Sequence, residues 1–223
     1  MDLMLISEGD TVLFQGDSIT DCHRHPDNPL GEGYPFIAAN IFSALFPEMK
    51  VKFINRGISG NRVSDLSGRW KEDCLDLHPD VLSILVGVND TWHRYSENIS
   101  CTAEEYKTVY RDILIQAREK TNAKLILMEP FLLHFKEGQD KWREDLNPKI
   151  MAVRELALEF DAVYIPLDGI FAAATARASM ETWIFDGVHP TPRSHIERRI
   201  LPTVGQWYAG SSMTKGAGSP ENI

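Results

Sequence analysis

Cysteine is scarce in this sequence, with only Cys22, Cys74 and Cys101 among 223 residues. An odd and sparse count does not fit the disulfide framework of a small secreted protein. The opening stretch MDLMLISEGDTVLF also lacks the basic start, long apolar run and small-residue cleavage site of a signal peptide. These absences predict a cytoplasmic protein.

Long hydrophobic runs and an excess of positive charge are missing as well. No segment approaches the roughly 20 apolar residues that span a bilayer. The chain has 23 Lys and Arg against 32 Asp and Glu, so its formal net charge is −9. Because an acidic surface repels phosphate groups, neither nucleic acid nor a membrane is an expected partner.

Metal-ligand spacings are absent too. His23 and His25 lie close together, but no cysteine or carboxylate stands at a telling distance from them. A solvated pair of loop histidines explains them better than a metal site. We therefore expect no metal and no other cofactor.

What the sequence contains is a regular alternation of strand and helix patterns. Short apolar runs rich in β-branched residues predict buried parallel strands at Thr11–Phe14, Val51–Ile54, Val81–Val86, Lys124–Met128 and Ala162–Pro166. Helical patterns occupy Tyr34–Phe46, Thr102–Glu119, Trp142–Phe160 and a last stretch from Pro192 toward Tyr208. Thr102-Ala103-Glu104-Glu105 predicts a capping box at the start of the second of these helices, and Pro148 is expected near the start of the third or at a kink. This order predicts an α/β fold, a three-layer α/β/α sandwich around a five-stranded parallel sheet.

The length suits one domain, which we expect to cover residues 1–209. Residues 210–223 are rich in Gly and Ser and predict a loosely ordered tail.

Four polar clusters stand out against this pattern. Three follow predicted strands and one precedes the last predicted helix: Gly16–Thr20, Gly57–Asn61, Gly87–Asp90 and Asp186–Pro190. The carboxyl ends of parallel strands, where ligands bind in such folds, meet at one edge of the sheet. Taken alone, each cluster is explained by a helix cap or a turn. Their conjunction, in this order, favours a catalytic site.

The clusters also resemble a known family. Ser18 in Gly-Asp-Ser, Gly60, Asn89 in Gly-Val-Asn-Asp and His189 in Asp-Gly-Val-His-Pro are similar to the four marker residues of SGNH (GDSL-like) hydrolases. The resemblance runs from Val12 to about His195. Within the family, the segments 16–21, 55–61 and 89–92 resemble the carbohydrate acetylesterase branch, notably bacterial acetylxylan esterases.

Two departures from the family pattern are visible. Ile19 replaces the Leu of the GDSL name, a conservative change that this branch often shows. The stretch Arg193–Arg199 is more basic than the segment that usually follows the family histidine, which bears on the outer wall of the site.

The resemblance implies a flavodoxin-like fold and a serine esterase. It implies short acyl groups, above all acetyl, on a carbohydrate such as a xylo-oligosaccharide. It also implies self-association, since the acetylxylan esterase relatives tend to be oligomeric. A lysophospholipase or thioesterase of the same family and an inactive binding module remain alternatives.

Physical chemistry assigns a role to each marker residue. A serine hydroxyl is a weak nucleophile and needs a base within hydrogen-bond reach, which His189 supplies for Ser18. Asp186, three positions before His189, is placed to hold the imidazole and to stabilise its positive charge. These three residues form the predicted catalytic triad.

The predicted oxyanion hole consists of the backbone N–H groups of Ser18 and Gly60 and the side-chain amide of Asn89, which we place in a loop after its strand. Asp17 is expected to cap the helix after it or to orient the Ser18 loop, with substrate contact as a further assignment. Trp92 and Trp183 flank the motifs, and core packing and a sugar-facing platform are equally expected for them.

Overall fold

The computed structural model describes residues 5–192 and contains a five-stranded parallel sheet. The strands are β1 (Thr11–Gly16), β2 (Lys52–Asn55), β3 (Val81–Leu85), β4 (Lys124–Met128) and β5 (Val163–Ile165). Their order across the sheet is β2-β1-β3-β4-β5. Each of the five predicted strands is confirmed, and β4 has the predicted bounds.

Helices cover both faces of this sheet. They are α1 (Ser18–Asp21), α2 (Tyr34–Leu45), α3 (Val63–Gly68), α4 (Trp70–Asp73), α5 (Val88–Glu97), α6 (Ala103–Thr121), α7 (Arg143–Glu159) and α8 (Leu167–Thr175). Side chains alternate across each strand, so that Leu13 packs with α3, α6 and α7 while Val12 and Phe14 pack with α2 and α8. Two apolar cores result, one on each face, and the predicted three-layer α/β/α sandwich is confirmed.

Two helix predictions can be compared in detail. Thr102 is the N-cap of α6, and its side chain accepts a hydrogen bond from the N–H of Glu105, whose carboxylate in turn accepts from the N–H of Thr102. The predicted capping box is therefore confirmed. Pro148 lies inside α7, five residues after its first residue Arg143, where the surrounding helix tolerates one missing backbone donor.

One prediction was wrong. Asn89 does not lie in a loop, because it is the second residue of α5, which begins directly after Gly87. Short polar residues such as Asn and Asp are common both in turns and at helix starts, so the sequence alone does not distinguish the two. Helices α3, α4 and α8 were not predicted either.

The strand order places a crevice between β1 and β3. The chain leaves β1 for β2 on one side and returns to β3 on the other, so the loops after β1 and β3 diverge at the carboxyl edge. Ligands bind at such switch points in parallel sheets. Within residues 5–192, no helix combines the length and apolar character needed to cross a membrane. The last predicted helix, the tail 210–223 and the basic stretch 193–199 lie outside the described residues.

Candidate active site

The turn from β1 into α1 presents Ser18 at the carboxyl edge of the sheet. Asp17 is the N-cap of α1, and its carboxylate accepts a hydrogen bond of 3.0 Å from the N–H of Ile19. A Cβ atom on Gly16 would lie 2.3 Å from the carbonyl oxygen of Leu85. Only glycine therefore lets α1 turn this closely against β3.

Asp17 itself is buried beneath the site. The predicted capping role is confirmed, and a carboxylate this deeply buried offers no surface to a substrate. Burial raises the pKa of Asp17 to about 7, against the bond from Ile19 and the nearby His189, which lower it. One oxygen, Oδ2, has no hydrogen-bond partner among the described residues.

A chain of two hydrogen bonds joins Ser18, His189 and Asp186. The Ser18 Oγ atom lies 2.8 Å from His189 Nε2, across 171 positions of sequence. His189 Nδ1 lies 2.8 Å from Asp186 Oδ2. The other oxygen of Asp186 accepts bonds from the backbone N–H groups of Val188 and His189, at 3.0 and 2.9 Å. The structure thus brings together all three residues of the predicted triad in the predicted order.

The electrostatics of this chain suit proton transfer. Burial raises the pKa of Asp186, but the bonds from the His189 side chain and backbone and from Val188 outweigh it and lower the pKa to about 2. The bond to Asp186 raises the pKa of His189 above its ordinary value, and partial burial opposes the rise. A carboxylate that stays ionised is therefore paired with an imidazole whose protonated form is stabilised.

The segment of Asp186 is held by a buried glutamine. Gln139 donates from Nε2 to the carbonyl oxygen of Asp186 at 2.8 Å, and its Oε1 accepts from the N–H groups of Phe135 and Lys136. Gly187 has a φ of +99°, a left-handed conformation that favours glycine. Sequence reasoning missed Gln139 because a lone glutamine in a polar stretch carries no recognisable signal.

The loop between β2 and α3 packs directly on the nucleophile turn. Asn55 donates from Nδ2 to the carbonyl oxygens of Thr20 and Leu30, at 2.7 and 2.9 Å, and its Oδ1 accepts from the N–H of Gly57. A Cβ atom on Gly57 would lie 2.4 Å from the backbone nitrogen of Asp21. The loop therefore approaches α1 at a distance that only glycine permits.

Gly60 differs from Gly57 in its surroundings. Its φ is +82°, and a Cβ atom there would meet nothing within 4 Å. The left-handed backbone, and not a close neighbour, accounts for glycine at this position. The open space beside it leaves room for a bound molecule.

Asn89 is connected to the loop between β2 and α3, residues 56–62, which is called the Gly60 loop from here on. Its Nδ2 atom donates to the carbonyl oxygen of Asn61 at 3.0 Å. An amide nitrogen has two hydrogens, and the second makes no bond to any residue between 5 and 192. The next residue, Asp90, accepts a hydrogen bond from the N–H of Val63 at 3.1 Å and so holds the start of α3.

Aromatic rings extend from the histidine along α5. The rings of Trp92 and His189 lie 6.0 Å apart between centroids, and Trp142 lies 5.4 Å beyond Trp92. Tyr95 stacks on Trp142 at 5.7 Å with nearly parallel planes. Trp183, by contrast, is buried in the core and donates from its ring nitrogen to Ala178. Of the two tryptophans considered for substrate contact, the structure brings Trp92 to the site and packs Trp183 away from it.

One of the two histidines that follow α1 pairs with a carboxylate. His23 Nδ1 lies 3.0 Å from a carboxylate oxygen of Glu32. In the part of the chain that the structure describes, no three His, Cys, Asp or Glu side chains cluster closely enough to hold a metal ion.

Comparison with known proteins agrees with this geometry. Residues 14–195 match the model of the GDSL-like lipase/acylhydrolase family. An acetylxylan esterase of Geobacillus stearothermophilus is 31% identical over 217 residues, which cover 92% of this chain and 98% of that protein.

Two solved structures extend the likeness to the fold. The crystal structure of Axe2, an acetylxylan esterase of the same organism, has a TM-score of 0.82 at 30% identity, covering 92% of this chain and 97% of that one. A protein of Parabacteroides merdae described as a GDSL-like lipase has a TM-score of 0.84 at 35% identity, covering 90% and 98%. Variants of Axe2 with an aspartate, a histidine or a serine replaced by alanine are described as catalytic mutants.

The family match spans the nucleophile turn, the Gly60 loop, the start of α5 and the Asp186–His189 segment. On these grounds the chain belongs to the GDSL-like lipase/acylhydrolase family and is a carboxylic ester hydrolase.

Proposed function

We propose that this esterase removes acetyl groups from acetylated xylo-oligosaccharides with Ser18, His189 and Asp186 as its catalytic triad. The observation that carries the proposal is the unbroken hydrogen-bonded chain from Ser18 Oγ through His189 to Asp186. The alanine variants of Axe2 described as catalytic mutants support it, because they replace a serine, an aspartate and a histidine, the last two three positions apart as here.

The reaction follows from the geometry. Ser18 Oγ attacks the acetyl carbonyl carbon while His189 Nε2 takes the hydroxyl proton. His189 then returns this proton to the sugar oxygen that leaves, and an acetyl-serine remains. Water, deprotonated by the same nitrogen, attacks the acetyl-serine; the bond to Ser18 Oγ breaks, His189 returns the proton to Oγ, and acetate is released. Asp186 stays ionised and stabilises the imidazolium during both steps.

The negative charge that develops on the carbonyl oxygen needs hydrogen-bond donors. We assign this role to the N–H groups of Ser18 and Gly60 and to the second amide hydrogen of Asn89. The open space beside Gly60 and the bond from Asn89 to Asn61 support the assignment, since both donors belong to one connected structure.

The carbohydrate part of the proposal rests on the acetylxylan esterase relatives and on Trp92. Aromatic rings bind the apolar faces of sugars, and Trp92 lies next to His189, where the leaving sugar receives its proton. Phe185, directly before Asp186, is 61% exposed and adds an apolar surface near the same end. We also expect the chain to self-associate, which sedimentation analysis would test.

The triad is tested by Ser18→Ala, with Ser43→Ala on the exposed side of α2 as the matched control. We expect Ser18→Ala to lose nearly all hydrolysis of p-nitrophenyl acetate and all labelling by a fluorophosphonate, with an unchanged melting temperature. Ser43→Ala should keep both. A Ser18→Ala variant with most of the original kcat would refute the triad.

The substrate is tested separately, with p-nitrophenyl acetate, butyrate and octanoate and with acetylated xylo-oligosaccharides. We expect kcat/KM to fall as the acyl chain lengthens and acetate to be released from the oligosaccharides. A preference for octanoate would favour the lysophospholipase or thioesterase alternative instead. No turnover of any ester would favour a binding module.

A further inference from the structure

One partly buried arginine contacts two of the structures that carry the proposed oxyanion donors. Arg69 lies between α3 and α4, and its side chain is only 15% exposed. Its Nε atom donates to Asn61 Oδ1 at 2.8 Å, and Nη2 donates to the carbonyl oxygen of Gly16 at 3.4 Å. Nη1 donates to Gln15 Oε1 and to Asp73 Oδ2, both at 3.0 Å. One guanidinium thus connects the end of β1, the Gly60 loop and α4.

The acceptors of Arg69 lie next to the groups that would contact the substrate. Gly16 is two residues before Ser18, and its carbonyl oxygen also accepts the N–H of Ile58 from the Gly60 loop at 3.1 Å. Asn61 directly follows Gly60, and its carbonyl oxygen receives the amide of Asn89. A displacement of Arg69 would therefore change the positions of all three proposed donors.

Arginine is suited to this position because its planar guanidinium donates in several fixed directions at once. Lysine would keep the positive charge beside Asp73, but a single ammonium cannot reach Asn61 and Gly16 in the same geometry. The ion pair with Asp73 supplies the counter-charge that a buried guanidinium needs. The substitution Arg69→Lys therefore keeps the positive charge and removes the hydrogen-bond geometry.

We infer that Arg69 is a positioning residue, which sets the relative placement of the Ser18 and Gly60 amides and, through Asn61, of the Asn89 side chain. The inference rests on the proposed function, since it concerns the proposed oxyanion donors. Arg69 touches neither Ser18 nor His189 and takes no part in proton transfer. Its effect should appear in the stabilisation of the transition state and much less in the binding of the ester.

The test compares Arg69→Lys, Asn61→Ala and the double variant. A misplaced donor should cost roughly 10- to 100-fold in kcat, less than the loss of a donor, while KM changes little. Asn61→Ala removes only the side-chain acceptor and keeps the carbonyl oxygen that Asn89 uses, so it serves if Arg69→Lys fails to fold. We expect the double variant to be less impaired than the product of the single effects. Arg111→Lys, at an arginine paired with Glu159 on the outer surface, is the control and should keep full activity.

A second measurement does not depend on activity. The N–H groups of Ile58 and Asn61 are bonded within this region, so hydrogen exchange reports on the loop directly. Arg69→Lys should speed exchange at both amides and leave β3 and β4 unchanged. If exchange at these amides is unchanged, or if kcat is kept while KM rises, the inference is wrong. If Ser18→Ala remains active while Arg69→Lys still speeds exchange, the proposed function fails and the positioning of the loop stands.

Discussion

The two oxygens of the Asp186 carboxylate have separate partners. Oδ1 accepts hydrogen bonds from two backbone N–H groups, and Oδ2 is bonded to Nδ1 of the His189 imidazole. The backbone bonds fix the carboxylate regardless of the protonation state of His189. The imidazole therefore stays oriented toward Ser18 throughout the proposed cycle.

The pH dependence of activity follows from this arrangement. In the proposed mechanism His189 must be neutral to accept the Ser18 proton, and the bond to Asp186 raises the pKa of His189 above its ordinary value. Activity should accordingly be full above that raised pKa and fall as the pH drops through it. In Asp186→Asn this acidic limb of the pH–activity profile should move to lower pH, and kcat at neutral pH should fall on the order of 10⁴-fold. Rate measurements between pH 5 and 9 would check both, and a limb in the same place would mean that Asp186 does not act on His189.

Asn89 offers a test of the oxyanion hole that leaves the triad intact. Asn89→Ala should lower kcat on the order of 100- to 1000-fold with a small change in KM, because the amide bonds the developing oxyanion more strongly than the ground-state carbonyl. Asn89→Asp should lower kcat at least as much, since it replaces a hydrogen-bond donor by a negatively charged acceptor. A well-folded and active Asn89→Asp variant would make Asn89 a mere turn-like residue at the start of α5.

At the scale of elements, short apolar runs were sufficient to predict the sheet. The strands are short and mainly apolar because both faces of the sheet are covered, as for Val81–Leu85, all of whose residues are buried. Helix α5 was missed because its apolar residues are few and its first turn, Val88-Asn89-Asp90, is polar. Its start is stabilised by long-range contacts, such as Asp90 with Val63, that no local pattern reveals.

The candidate site likewise has residues that the local sequence reveals and residues that only long-range contacts reveal. The three proposed triad residues and Gly60 could be singled out from motifs because the proposed chemistry restricts the residue type. Arg69 and Gln139 could not, since their roles come from bonds to backbone groups of distant loops. Only the folded structure shows that Arg69 contacts β1 and Asn61 and that Gln139 contacts the segment of Asp186.

Asn55, at the end of β2, should be among the most sensitive positions outside the triad. Asn55→Asp replaces the two N–H donors to Thr20 and Leu30 by an oxygen that repels their carbonyls. We expect a loss of at least about 2 kcal/mol in the free energy of unfolding, because buried acceptors are left without donors. Urea unfolding would measure it, with Asn40→Asp on the exposed face of α2 as the matched control. Equal effects of the two substitutions would mean that Asn55 does not connect the loops.

At the scale of the whole molecule, the proposed mechanism uses protein groups alone. The proposed nucleophile, base and donors are all side chains or backbone amides. Prolonged dialysis against EDTA should therefore leave kcat and KM unchanged, as an assay before and after would establish. A loss of activity that zinc restores would instead indicate that His189 and Asp186 bind a metal.

The bond between His189 and Asp186 joins residues three positions apart, whereas that between Ser18 and His189 joins positions 171 apart. The first depends on local backbone and the second on the packing of the whole sandwich. On heating, the long-range bond should open first, while the local pair persists. The enzyme should then lose turnover at temperatures where its helices are still intact, with a histidine that still titrates as the partner of a carboxylate. Heat inactivation would thus report the loosening of segment 183–190 against β1, well before the sheet itself unfolds.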